Sequence, residues 1–249
     1  MTSRTRILVC VLTLALFAAP AMAGDDWEFS LMPYLWFAGL DGQTSSVPGE
    51  PPVDVDAKFS DILENLDLAL FLAADARKGR WGMLLDLMYV DVEADGTFPG
   101  PEFSDVTFES TQWVIGGLGY YRLVEKDKAF VDALGGVRYW DVSNDLFLAA
   151  GEAPDTLIEI GDSWLDPMAG FRGRSTLGES SFSFGWHLMA GGFGAGSEMF
   201  WDLRGDLGYH WEKTAVILGY RYLDVEYDDD DFLYDVTQDG PILGLIFRF

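Results

Sequence analysis

The chain has 249 residues, 49% hydrophobic and 15% aromatic, with 41 acidic side chains against 16 lysines and arginines and a formal net charge of -25. So acidic a composition argues against a nucleic-acid partner, whose phosphates demand a basic face. The length suits one domain.

Residues 1–23 read as a secretory signal: Arg4 and Arg6, an apolar run from Ile7 to Ala19, then Ala21-Met22-Ala23 before Gly24. The run is shorter than the roughly 20 residues a membrane helix needs, and the small residues at 21 and 23 suit a peptidase. The expected mature chain is 24–249. Cys10, the single cysteine, lies inside the signal. Its removal would leave no disulfide, cysteine nucleophile or thiolate metal site.

Ten strands are predicted, near 27–40, 66–77, 80–95, 106–124, 129–147, 157–177, 180–194, 198–212, 214–227 and 232–249. The clearest alternation runs from Trp201 to Trp211, where Trp201, Leu203, Gly205, Leu207, Tyr209 and Trp211 interleave with Asp202, Arg204, Asp206, Gly208 and His210. A second pairs Phe182, Phe184, Trp186 and Leu188 with Ser183, Gly185 and His187, and a third runs from Val131 to Trp140. In a soluble sandwich the polar face would be the outer one; in a membrane barrel the apolar face meets lipid and the polar face lines the lumen. The expected fold class is all-β: a single closed antiparallel transmembrane β-barrel of about ten strands, with eight or twelve as alternatives.

Residues 41–65 form the first predicted loop, with a helix-like stretch from Ser60 to Leu66 and Ser60 as its N-cap. Two placements are open: a constriction with Ile62, Leu63 and Leu66 on the inner wall, or a surface loop with one helical turn. An extra crossing strand over 53–60 would break the parity that keeps both termini on one side.

Lys78, Lys126, Lys128 and Lys213 fall in short turns, whereas the acidic runs around 91–105, 141–155 and 228–231 fall in the connections on the other rim. Short turns opposite acidic loops match periplasmic and external ends of a bacterial barrel. Aromatic residues near strand ends, among them Trp27, Trp81, Tyr121, Tyr139, Trp201, Tyr209, Trp211, Tyr220 and Tyr222, suit interfacial girdles wherever they face outward.

The stretches Tyr34-Leu35-Trp36-Phe37-Ala38-Gly39-Leu40, Gly136-Val137-Arg138-Tyr139-Trp140-Asp141, Asp166-Pro167, Gly170-Phe171-Arg172-Gly173-Arg174, Gly191-Gly192-Phe193-Gly194, Gly219-Tyr220-Arg221-Tyr222 and Gly240-Pro241-Ile242-Leu243-Gly244 carry a resemblance. The chain resembles Gram-negative outer-membrane β-barrels of the generic porin-like or OmpA-like group. The resemblance implies residence in the cell outer membrane, contact with its lipid and lipopolysaccharide, and no settled activity. The last strand also resembles the signal read by the outer-membrane assembly machinery, with Gly244, Phe247 and Phe249 in place and Ile242 where a polar residue is common.

The alternation assigns Asp86, Asp132, Arg138, Asp166, Arg172, Arg174, Asp202, Arg204, Asp206, Arg221 and Arg248 to the lumen. Acids and arginines in similar number suggest a paired network, because enclosed charges persist only when paired or hydrogen-bonded. Such a network lines a small ion-selective pore or fills a closed barrel. His187 and His210 are the only near-neutral bases. Ser183 shares a face with His187, but four residues along a strand is ~13 Å, beyond hydrogen-bond reach. No catalytic, cofactor or metal residue is assigned. Asp228 to Asp231 offer oxygen ligands but lack the glycine and terminal glutamate of a calcium loop. The expected function is a non-enzymatic barrel, either a small porin-like channel or a structural membrane component; a barrel enzyme acting on lipid or peptide at the external rim is the alternative. The sequence leaves the oligomeric state open.

Overall fold

A computed structural model describes residues 27–45, 51–97, 101–229 and 232–249. The signal reading at 1–23, Cys10 within it, and Asp230 and Asp231 lie outside these residues. In chain order the elements are β1 (Trp27–Trp36), β2 (Gly39–Thr44), β3 (Val53–Ala57), α1 (Phe59–Glu64), β4 (Leu66–Lys78), β5 (Trp81–Thr97), β6 (Phe103–Lys126), β7 (Ala129–Ala150), β8 (Thr156–Thr176), β9 (Phe182–Gly192), β10 (Met199–His210), β11 (Thr214–Asp229) and β12 (Phe232–Arg248).

From β4 to β12 each strand pairs antiparallel with the next, and β1 pairs with both β4 and β12, so ten strands close into a barrel. Closure leaves no sheet edge across the wall, which lets backbone amides survive away from water. The β1–β12 seam runs from Ser30 opposite Arg248 to Trp36 opposite Ile242. Beyond it β2 continues the ladder along β12, and β3 folds back on β2 as an outer hairpin. Val53–Ala57 is therefore a strand but not a crossing one, so the ten-strand parity holds.

Period-two patterning sets the two faces. On β10, Trp201 is 46% and Leu207 57% exposed, whereas Asp202 is 0% and Asp206 7%. Leu188 on β9 and Leu218 on β11 extend the apolar exterior. Trp201 and Tyr209 stand ~27 Å apart along one strand, a span that covers a tilted apolar band. Near one rim Phe182, Tyr209 and Trp211 pack edge to face, as do Trp81 and Tyr121. Toward the other rim Tyr139 donates to Asp141 at 2.9 Å and Tyr222 to Asp224 at 3.0 Å, marking where the outer wall turns polar. A continuous exposed apolar wall of this kind is a lipid-facing surface.

The two ends differ. One, the turn end, carries Trp27, Phe249 and the short connections at 79–80, 127–128, 177–181 and 211–213. Gly79 there adopts φ of 59°, a left-handed conformation that side chains disfavour. The other, the loop end, carries the β2–β3 hairpin and the tall ends of β6 and β7, which at 24 and 22 residues far exceed what a bilayer needs.

At the loop end α1 corrects one expectation and decides between two open placements. Lys58 rather than Ser60 is the N-cap, because Asp61 reaches back to accept from the Lys58 amide at 3.2 Å while Ser60 sits inside the helix. The helix buries no residue, Leu63 is 54% exposed, and Phe59 meets Phe37, which follows the outward-facing Leu31, Pro33 and Leu35 of β1. The surface placement is the observed one, and Ile62, Leu63 and Leu66 form no constriction.

Candidate functional site in the lumen

Alternation brings onto the inner wall charges that are far apart in sequence. At the centre Asp202 is fully enclosed and receives Arg138 at 2.6 Å, Arg221 at 2.7 Å and the His187 ring at 2.8 Å. Arg221 also reaches Asp86 at 2.7 Å and donates to the Tyr34 hydroxyl at 2.7 Å, while Tyr34 donates to Asp86 at 2.9 Å. Six strands are tied together here: β1, β5, β7, β9, β10 and β11. Toward the turn end Asp132 accepts from Arg122 at 2.8 Å and Arg172 at 3.0 Å, and Arg172 also reaches Asp75 at 2.6 Å. Charges this deeply enclosed are tolerable only because each carboxylate has several donors.

Above this layer, toward the loop end, the lumen is filled by rings. Trp140 and Phe200, both with no exposed surface, meet edge to face at 5.6 Å, and Trp164 stacks on Tyr227 at 3.8 Å. The backbone of Gly191 makes room for Phe200: a Cβ there would lie 2.3 Å from the ring. Asp166 holds a turn into this layer, accepting from the Ser197 amide and hydroxyl at 2.7 Å each and from the Trp140 indole at 2.8 Å. The turn bends through Phe193, whose φ is 52°.

Below the ion layer the lumen opens into a cavity of about 340 Å³ lined by residues such as Arg77, Arg174, Ser183, Arg204, His210 and Arg248. Arg204 reaches Asp206 at 3.1 Å. Arg174 has no carboxylate partner among the described residues and stands 5.3 Å from the Phe130 ring centre.

The acids and arginines assigned to the lumen from the alternation all stand on the inner wall. Sequence reasoning missed Asp75, Arg122, Tyr34 and Ser197. Asp75 and Tyr34 share the inward period of Ala73 and Met32, a signal the alternation contains; Ser197 lies in a turn and has none. His187 and Ser183 do not meet. Instead the Ser183 hydroxyl contacts His210 Nε2 at 2.6 Å across neighbouring strands. Arg248 occupies the other ring nitrogen, Nδ1. A guanidinium can only donate, so Nδ1 accepts, and a neutral ring carries its proton on Nε2 and donates it to Ser183. That is the reverse of the tautomer a serine nucleophile needs, in which a carboxylate on Nδ1 leaves Nε2 free to take the proton. No group of three or more metal-ligating side chains is assembled among the described residues. Gly244 pairs with Ile217 and Tyr34, and Phe247 with Thr214 and Leu31, within the closing strand.

No family model matches the sequence, and no curated protein does. Among solved structures, the outer membrane protease OmpT from Escherichia coli is similar at a TM-score of 0.52 and 8% identity, covering 90% of this chain and 97% of that one. The fold is that of a Gram-negative outer-membrane β-barrel. The translocator domain of the autotransporter NalP from Neisseria meningitidis has a TM-score of 0.44 at 10% identity, covering 100% of this chain and 98% of that one. Ail, the attachment invasion locus protein of Yersinia pestis, has a TM-score of 0.36 at 10% identity, covering 91% and 100%. At 8% identity the likeness to OmpT speaks for architecture and leaves activity to the residues of this chain.

Proposed function

We propose that this chain is an integral, non-enzymatic component of the outer membrane whose barrel is sealed across its middle, a structural membrane protein rather than an open pore. One observation carries the reading: Asp132, Arg138, Trp140, Asp166, Phe200 and Asp202, from three different strands, have no exposed surface at all. A hydrated ion path would wet at least some of them. In this reading the turn end faces the periplasm, the outer wall meets lipid, the loop end meets lipopolysaccharide, and Gly244, Phe247 and Phe249 serve recognition by the assembly machinery. Nucleic acid has no place in it. The test is planar-bilayer recording of refolded protein. A silent wild type, with steps appearing in Phe200→Ala, supports the seal; discrete ion-selective steps in the wild type give the channel reading instead.

The contact between Ser183 and His210 favours a second reading, a serine hydrolase. Arg248 opposes it by fixing the unproductive tautomer. Labelling by a serine-directed fluorophosphonate, lost in Ser183→Ala, would establish the hydrolase.

A further inference from the structure

The cavity at the turn end is cationic in a protein that is otherwise acidic. Six arginines line it against four carboxylates, although the whole chain carries a net charge of -25. Four of the six are neutralised: Arg77 by Glu28, Arg122 by Asp132, Arg172 by Asp75, and Arg204 by Asp206. Arg174 and Arg248 have no carboxylate partner among the described residues. The side chain of Arg174 makes no hydrogen bond there, and that of Arg248 makes only one, to a ring nitrogen of His210.

Both unpaired guanidinium groups line the cavity and also an adjoining recess at its mouth, which they share with Thr176, Ser180, Ser181 and His210. Both are half-sheltered from water, and lining the same two hollows gathers their like charges at one end of the lumen. Like charges in such a setting destabilise the empty site, and an anion lodged between them removes that repulsion. Guanidinium forks match the oxygens of phosphate in paired hydrogen bonds. A phosphate group can accept from both forks and still offer an oxygen to a hydroxyl at the mouth, whereas a carboxylate has only two oxygens to divide. Asp206, which lines the same cavity, is already engaged by Arg204.

We propose that Arg174 and Arg248 form a phosphate-binding site at the turn end of the lumen, open to a phosphate monoester or to a phospholipid headgroup. The cavity exceeds a bare phosphate and leaves room for the organic part of an ester. The site borrows from the barrel reading only its orientation toward the periplasm. Conductance in the bilayer experiment would overturn the seal without touching phosphate binding, so the two claims fail separately.

The test uses the full chain refolded in a non-ionic maltoside micelle and titrated with inorganic phosphate, followed by ³¹P line broadening. A second arm places the protein in nanodiscs of phosphatidylcholine with or without phosphatidylglycerol and reads the melting temperature. The expected result is saturable phosphate broadening that weakens tenfold or more in Arg174→Gln/Arg248→Gln and resists competition by equimolar chloride. Binding in the micelle arm assigns a soluble phosphate compound. A phosphatidylglycerol-dependent rise in melting temperature, abolished by the double substitution, assigns a lipid headgroup. If the double variant does not refold, Arg174→Gln alone carries the test, since that side chain makes no hydrogen bond in the fold. Wild type and variant that behave alike in both arms overturn the proposal.

Discussion

The two halves of the lumen are built from the same alternating strands and end in opposite states. Toward the loops, Trp140, Trp164, Phe200 and Tyr227 fill the bore, and the buried Asp166 accepts from Trp140 and from both the amide and the hydroxyl of Ser197. Toward the turns, the bore stays open and two arginines lack a counter-charge among the described residues. Between them sits the Asp202 layer. The contrast teaches that a barrel wall does not decide what its lumen is for. A filled, hydrogen-bonded half supplies stability, while a half left hollow with uncompensated charge forgoes stability and retains a surface able to bind.

Substitutions in the shared layer should have the largest effect. Asp202→Ala strands Arg138, Arg221 and the ring of His187 without their common acceptor. Removing one member of a buried charge network costs about 3–5 kcal/mol, so the urea midpoint of the refolded barrel should fall sharply and folded yield with it. An unchanged midpoint would mean the layer is wet. On the outer wall, Leu188→Arg near the middle of the apolar band should cost about 2–4 kcal/mol in a bilayer. The same change on a soluble surface would be close to neutral, so equilibrium unfolding in vesicles separates the two surroundings directly.

Within the loop-end half, Ser197→Ala removes one of three donors to the fully buried Asp166, an expected loss of about 1–3 kcal/mol. Its effect should be visible as protease sensitivity at the turn it anchors. The smallest change is expected at the turn end. Arg174→Gln should shift stability by no more than about 0.5 kcal/mol, or raise it slightly by relieving the like charge gathered there with Arg248. If it instead destabilised as much as Ser197→Ala, the two halves would not differ as described.

The period of the Trp201–Trp211 strand was enough to place Asp202, Arg204 and Asp206 inward, because side-chain direction in a strand is a local, two-residue property. The same period contained Asp75 and Tyr34, which were missed only because their neighbours are alanines and an apolar run without obvious alternation. Ser197 was not legible at all: it lies in a turn, and its burial depends on the reach of Asp166 from another hairpin. The helix cap failed for a related reason. Ser60 has the preferred chemistry for an N-cap, but the reciprocal contact between Asp61 and the Lys58 amide set the start two residues earlier.

The sequence by itself determined a ten-strand barrel with an oily exterior and a charged lumen, since alternation and strand parity need no knowledge of which strands face each other. Only the tertiary structure decided how those charges are spent: which carboxylate serves three donors, which ring closes the bore, that His210 meets Ser183 rather than His187 doing so, and that Arg174 and Arg248 are left over. Those outcomes depend on register across the closed wall and on the distance between opposite inner faces. Neither quantity is written in the order of residues along a single strand.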